Sequence, residues 1–238
     1  MKPFTRRLLV AACSALLALP TRSVAAAEDD DDKAAKGAGW EVLFNGKNTS
    51  RWRGYKQEKF PEKGWKVEGD ALRHVAGEGG GDLITREKFG SFELRFDWKV
   101  APGANSGVIY RVTEDRGASY ETGPEYQVLD DSKHADGKNP KTSAGALYAL
   151  IAPNADKALK PVGEWNKARI VVRGSHVEHW VNKKKVVEYA WGSPEMNQLI
   201  AGSKFKGMPG FAKNAEGHIC FQDHGDDVWF RKIRIRRL

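Results

Sequence analysis

Cysteine is scarce: the 238-residue chain has two, Cys13 and Cys220. Cleavage of a leader ending near Ala27 would leave Cys220 alone, so no intramolecular disulfide can brace the fold. Long apolar runs are missing as well. The longest, Leu8 to Leu19, is too short to cross a bilayer. The chain has no Gly-x-Ser-x-Gly elbow, no phosphate-cradling loop, no dinucleotide fingerprint and no His-Glu-x-x-His pair. Gly77 to Gly81 is glycine-rich but lacks the following Lys-Ser/Thr, and reads as a flexible loop. No strand carries two acids spaced as a conventional glycosidase needs. A strong charge excess is missing too. The chain carries +8, and with four bases in the leader the remaining 35 bases face 31 acids, leaving +4. A nucleic-acid partner is not expected from so mild a balance.

The N-terminus reads as an export signal. Lys2, Arg6 and Arg7 precede the apolar run, and Val24 to Ala27 are small enough for a signal peptidase. Thr5-Arg6-Arg7-Leu8-Leu9 is compatible with twin-arginine export, and Val10-Ala11-Ala12-Cys13 loosely fits a lipoprotein box. Residues 1–27 are thus expected to be a signal peptide and 28–39 an acidic flexible linker around Glu28 to Asp32 and Lys33. That acidic run also matches an enterokinase site. Residues 40–238 form one domain. The expected location is periplasmic or extracellular, with no stable membrane insertion after cleavage.

What is abundant is β pattern. Phe92 to Trp98 alternates apolar and charged residues. Arg169 to Arg173 and Val177 to Val181 are joined by Gly174-Ser175, a tight hairpin length. A polar turn at Asn182 to Lys185 leads into Val186 to Tyr189. Gly107 to Arg111, Glu125 to Leu129, Ala144 to Leu150, His218 to Gln222 and Val228 to Ile235 also read as strands, the last two as a pair. Helical turns are expected only at Glu195 to Ala201 and Ala155 to Ala158. Many short strands in about 200 residues imply an all-β sandwich or barrel. Of the eight tryptophans, Trp98, Trp180 and Trp229 lie in strands and are expected in the core. Trp40, Trp52, Trp65, Trp165 and Trp191 fall near strand edges or loops, where an aromatic either caps the core or stacks on a sugar.

Ordered motifs carry a family resemblance. Trp40-Glu41-Val42-Leu43-Phe44-Asn45-Gly46-Lys47 and then Trp52 open it; Trp65 to Leu72, Phe89 to Leu94 and Asn105 to Val108 follow. Glu125 to Asp130, Gly145 to Tyr148, Gly163 to Asn166, Gln222 to Gly225 and Phe230 to Ile235 complete it. The domain resembles the 3-keto-disaccharide hydrolase family. The resemblance implies a concanavalin A-like jelly-roll β-sandwich of two curved antiparallel sheets with few short helices. It also implies cleavage of 3-keto-glycosides by elimination and rehydration, with a glycoside or oligosaccharide as partner. Lys183-Lys184 departs from the glycine more usual after Asn182. Two other functions remain open on the residues: a non-catalytic carbohydrate-binding module and a conventional glucanase.

Such chemistry needs a base for the C2 proton, an acid for the leaving group and donors for the enolate. Period-two geometry puts Glu125, Gln127 and Leu129 on one face. Gln222 and His224 share a face if their strand runs on through the turn. Four polar groups on strand interiors are costly to bury without partners, so Glu125, Gln127, Gln222 and His224 are expected in a wet groove. Glu125 is the expected base or metal ligand, and His224 its partner as acid/base or ligand. Asn105, Ser106, Arg111, Tyr148 and His179 are the remaining substrate-binding candidates, with Asp130 a lesser one. For Arg111 a structural ion pair is the favoured alternative, and for His179, flanked by Val177 and Val181, a core residue. A divalent metal is compatible with Glu125 and His224 but finds no compact ligand spacing.

Overall fold

A computed structural model describes Met1 and residues 39–238. The signal, its Cys13 box and the acidic run Glu28 to Lys33 lie outside the described residues. The domain contains thirteen strands in two antiparallel sheets. The larger sheet is built on β6 (Phe92–Val100), with β9 (Asn166–Arg173), β10 (His176–Val181) and β11 (Lys184–Ala190) on one side. On its other side lie β13 (Val228–Arg237), β4 (Ala71–His74) and β3 (Trp65–Glu68), and β1 (Glu41–Phe44) pairs with the far end of β13. The smaller sheet runs β2 (Trp52–Gly54), β5 (Leu83–Thr85), β12 (His218–Phe221), β7 (Asn105–Val112) and β8 (Glu125–Leu129).

Alternation makes the sandwich. In β6, Phe92, Leu94, Phe96 and Trp98 are buried on the core side, while Arg95 and Lys99 lie partly open on the other. Phe221 of β12 stacks on Phe230 of β13 at 4.3 Å, which locks the two sheets together. Each fully buried Phe or Leu contributes about 1.5–3 kcal/mol relative to an exposed one. A bulge preserves the pattern in β13: Lys232 adopts φ 51°, and the register shifts so that Ile233 and Ile235 both stay in the core. The outer face of the larger sheet carries a charged cluster. Glu93, 1 % exposed, lies 2.8 Å from Nε of both Arg95 and Arg169 and 2.5 Å from Nη2 of Arg236.

Several expectations need correction. Ala144 to Leu150 is a turn-rich segment with isolated bridges, because Gly145 at φ 82° and Ala149 at φ 60° break the extended run. Ala155 to Ala158 forms a turn and no helix, whereas α1 (Pro194–Ala201) forms on a Ser193 cap. β12 and β13 do not pair with each other. They lie in different sheets, and the segment from Gln222 to Asp227 crosses between them. Trp180 and Trp229 are only half-buried on the outer face, under Arg169 at 4.7 Å and Arg73 at 4.9 Å. Trp52 and Trp65 belong to the core, at 0 % and 3 % exposure.

Candidate active site

The outer face of the smaller sheet has two characters. Ile84, Ile109, Val112 and Cys220 form an apolar patch against Tyr55. Beside it, β7 and β8 present polar groups. Their register sets Gly107 opposite Gln127 and Ile109 opposite Glu125. Three connecting segments wall this polar floor: Ser119–Glu121, the turn Lys204–Gly207 and the crossing from Gln222 to Asp227. The result is a cavity of about 240 Å³ lined by Asp82, Asn105, Tyr120, Glu125, Gln127, Tyr148, Lys204, Phe205, Gln222, Asp223 and His224. Its volume is small beside the roughly 300–1,000 Å³ usual for ligand sites, which suits one ring better than a long chain.

Glu125 sits at the floor, 7 % exposed. Burial pushes its carboxyl up to about 8, with Lys204 opposing and Asp82 and Asp136 adding to the rise. Asp82 is raised as well, chiefly by burial, although Ser119 Oγ and the Asp223 amide both donate to it. At the mouth, His224 is exposed, and Asn105 Nδ2 approaches its Nε2 to 3.3 Å. Tyr148 donates to Asp136 Oδ2 at 3.1 Å, and Lys204 Nζ stands 4.2 Å above its ring.

The crossing that carries His224 is tied down closely. Asp223 accepts from the amides of Gly81 and Gly225, each at 2.9 Å, and its Oδ1 lies 2.8 Å from Nε2 of the buried His74. Asp226 accepts from the Asn105 amide at 2.9 Å, and its carbonyl faces His74 Nδ1 at 2.8 Å. Ser106 Oγ donates to the Gln222 carbonyl at 2.8 Å. β12 ends at Phe221, so Gln222 and His224 reach the cavity from a braced loop and not from a continued strand.

Six of the expected site residues therefore meet in one cavity: Asn105, Glu125, Gln127, Tyr148, Gln222 and His224. Ser106 stands behind it as a brace. Two others lie elsewhere. Arg111 adopts φ 57° at a bulge in β7, which turns its side chain toward the carbonyls of Gly174 and Gly90, at 2.8 and 3.4 Å. His179 is fully buried between the sheets, with Tyr110 Oη at 2.9 Å and the Gly145 carbonyl at 3.2 Å. Burial lowers it to about 4, so it stays neutral. Asp130 lines a different hollow and is spent on the amides of Gly103, Ser132 and Lys133. Asp82, Tyr120, Lys204, Phe205 and Asp223 were not anticipated; all sit on or beside connecting segments, where no periodicity marks them.

Among the described residues, the group with three ligand atoms close enough for a metal is His176, Glu178 and Glu188 on β10 and β11. None of the three lines the cavity. Lys185 Nζ already stands 2.5 Å from Glu188 and 3.5 Å from Glu178, filling the place of a cation.

The 3-keto-alpha-glucoside-1,2-lyase-like domain family matches residues 39–236. The chain belongs to this family. A 3-keto-disaccharide hydrolase of Bacteroides thetaiotaomicron is 38% identical over 249 aligned residues, covering 92% of this chain and 85% of that protein. A crystal structure of a Parabacteroides distasonis protein considered a glycosyl hydrolase superposes with a TM-score of 0.79 at 32% identity, over 87% of this chain and 97% of that one. A second structure from the same organism gives 0.65 at 30% identity, over 84% and 100%. The family member is thus an enzyme of the hydrolase type on a jelly-roll β-sandwich.

Proposed function

We propose that the protein cleaves 3-keto-glycosides in the cavity around Glu125, by elimination followed by addition of water. The observation that carries this reading is Glu125 itself. It is a buried carboxyl with no hydrogen-bond donor among the described residues, at the floor of a polar cavity that holds a histidine at its mouth. A burial-raised carboxylate is a stronger base once ionised, which suits removal of a proton made acidic by a neighbouring ketone.

In the first step Glu125 takes the hydrogen from C2. The C2–H electrons form the C1=C2 double bond, and the C1–O bond to the aglycone breaks. His224, at the mouth, supplies the proton that the departing oxygen takes up. Lys204 is the cation placed to stabilise charge developing on the ketone oxygen. In the second step water adds its hydroxyl at C1 and gives its other proton back to His224, while Glu125 returns the proton to C2, so the two steps sum to hydrolysis and both groups are restored. The signal-like leader supports action outside the cytoplasm.

The test is turnover of 3-keto-trehalose and 3-keto-sucrose, with and without chelator, while the absorbance of the unsaturated intermediate is followed. A transient chromophore, absent in Glu125→Gln, supports the proposal. Binding of plain glycans without turnover of any keto-sugar would make the protein a carbohydrate-binding module. Release of reducing ends from unoxidised β-glucan would make it a glucanase.

A further inference from the structure

The net charge of the domain sits on one face. Residues 40–238 hold 33 bases and 26 acids. The three central strands of the larger sheet, β9, β6 and β13, carry ten of those bases and two of the acids. Their core side is apolar, so alternation sends eight of the bases and both acids, Glu93 and Asp97, to the outer face. An excess of six on this face, against seven for the domain, leaves the remainder close to neutral. The register sharpens the crowding. Arg169, Arg95 and Arg234 stand in one row across strands that lie about 4.8 Å apart. Like charges set directly opposite one another destabilise a sheet. In the next row Lys167 and Arg231 flank Asp97. Burial and the charges of Lys183, Lys232, Arg234 and Arg231 together push Lys167 below the ordinary lysine value.

We propose that this outer face is a docking surface for an acidic polysaccharide, held through the carboxylates of its sugar units. Charge complementarity selects a polyanion, and guanidinium groups are the side chains best matched to carboxylates. Glu93, gripped by Arg95, Arg169 and Arg236, shows how this face takes one. Extent selects a polymer, because β9 from Lys167 to Arg173 alone runs about 20 Å, too far for one small anion. The aromatic groups argue against other partners. Trp40, Trp165, Trp180 and Trp229 each lie under a cation: Arg95 at 5.0 Å, Arg231 at 4.1 Å, Arg169 at 4.7 Å and Lys99 at 4.4 Å from the ring centroid. Rings covered in this way do not stack on a neutral sugar or a nucleobase. Half-buried, they do not enter a bilayer either. The cavity around Glu125 opens on the outer face of the other sheet, so a polymer held here leaves it free whatever its chemistry.

The experiment is calorimetric titration of the full chain with polygalacturonate, beside neutral dextran, duplex DNA, and vesicles of phosphatidylglycerol and phosphatidylcholine. Polygalacturonate is expected to bind and dextran not to. The affinity should fall about tenfold or more between about 50 and 200 mM salt, as counterions reclaim the polymer. Arg169→Gln with Arg234→Gln removes both ends of the arginine row and should weaken binding about tenfold or more. Lys59→Gln with Lys63→Gln removes the same charge from exposed positions on the loop after β2. That pair should change the affinity less than about threefold, because it lies outside the face. Thermal melts confirm folding; if the arginine pair does not fold, Lys99→Gln with Lys167→Gln takes its place under the same expectation. No binding of polygalacturonate overturns the proposal, and so does equal binding of dextran. Equal weakening by the two pairs overturns it as well, since net charge alone would then explain the affinity. Tighter binding of DNA or of the vesicles at equal charge concentration overturns it in favour of that partner.

Discussion

Gly107 lies directly under the carboxyl of Glu125: a methyl group on Gly107 would stand 2.1 Å from Glu125 Oε1 and 2.7 Å from its Cδ. The absence of a side chain on β7 is what lets Glu125 lie down across the floor of the cavity. Gly107→Ala should therefore displace the carboxyl rather than break the sheet. The expected result is a loss of about 10- to 100-fold in kcat/KM, as for other misplaced reacting groups. Stability should fall by about 1–3 kcal/mol, the usual range for overpacking. Kinetics and a denaturant melt on the same preparation check both.

The pH profile should report Glu125. As a base it works only when ionised, so kcat/KM should rise with pH and level off above about 8. Glu125→Gln should abolish the profile along with turnover.

The same residue should show a stability cost. Its folded value lies above the ordinary carboxylate value of 4.5. Its favourable contribution is therefore present below that value and is lost as pH rises through about 8. Glu125→Gln removes the penalty, and its melting temperature should exceed that of the unaltered protein at pH 9, by a margin that shrinks toward pH 5. Thermal melts across that range read this directly; a margin that grew in acid would contradict the buried-carboxyl account.

Strand alternation explains how much of this site was legible in the sequence. Glu125 and Gln127 lie within one regular strand, so period two is enough to group them; Asn105 reads in the sequence as standing just before a strand at Gly107, whereas β7 begins at Asn105 itself. Gln222 and His224 were grouped correctly for a wrong reason, since the strand stops at Phe221 and hydrogen bonds to Asp223 and Asp226 hold them in place. Arg111 was misplaced because a bulge at φ 57° re-aims a side chain, and nothing local announces that bulge. Asp82, Lys204 and Phe205 come from segments far apart in the chain, and only the closed fold makes them neighbours.

His179 supplies an acid-sensitive test of the core. Burial depresses it to about 4 from the ordinary 6.5. Stability is then unaffected by this group above 6.5 and is lost as pH falls toward 4, because the unfolded chain binds the proton more readily. His179→Ala should remove that part of the acid transition. It should also cost about 2–4 kcal/mol at neutral pH, through the cavity it leaves and the loss of a partner for Tyr110 Oη. Urea titrations at pH 7 and pH 5 measure both effects.

Glu93 should be the most damaging single charge to remove. With Arg95, Arg169 and Arg236 all against it, Glu93→Gln leaves three guanidinium groups facing one another on the sheet. A loss of about 3–5 kcal/mol is expected, as for other broken buried pairs. Added salt should soften the loss, because screening relieves the repulsion among the arginines. Equilibrium unfolding at low and high ionic strength checks this.

Where β12 sits in the chain order has a kinetic consequence. It forms the middle of the smaller sheet beside β7, more than a hundred residues upstream, and is followed directly by the crossing that carries Gln222 and His224. The chain between the two strands must all be in place before this sheet can close, and pairings so distant in sequence are slow to nucleate. Catalytic competence should thus be among the last properties a refolding sample regains, well after its bulk β signal has returned.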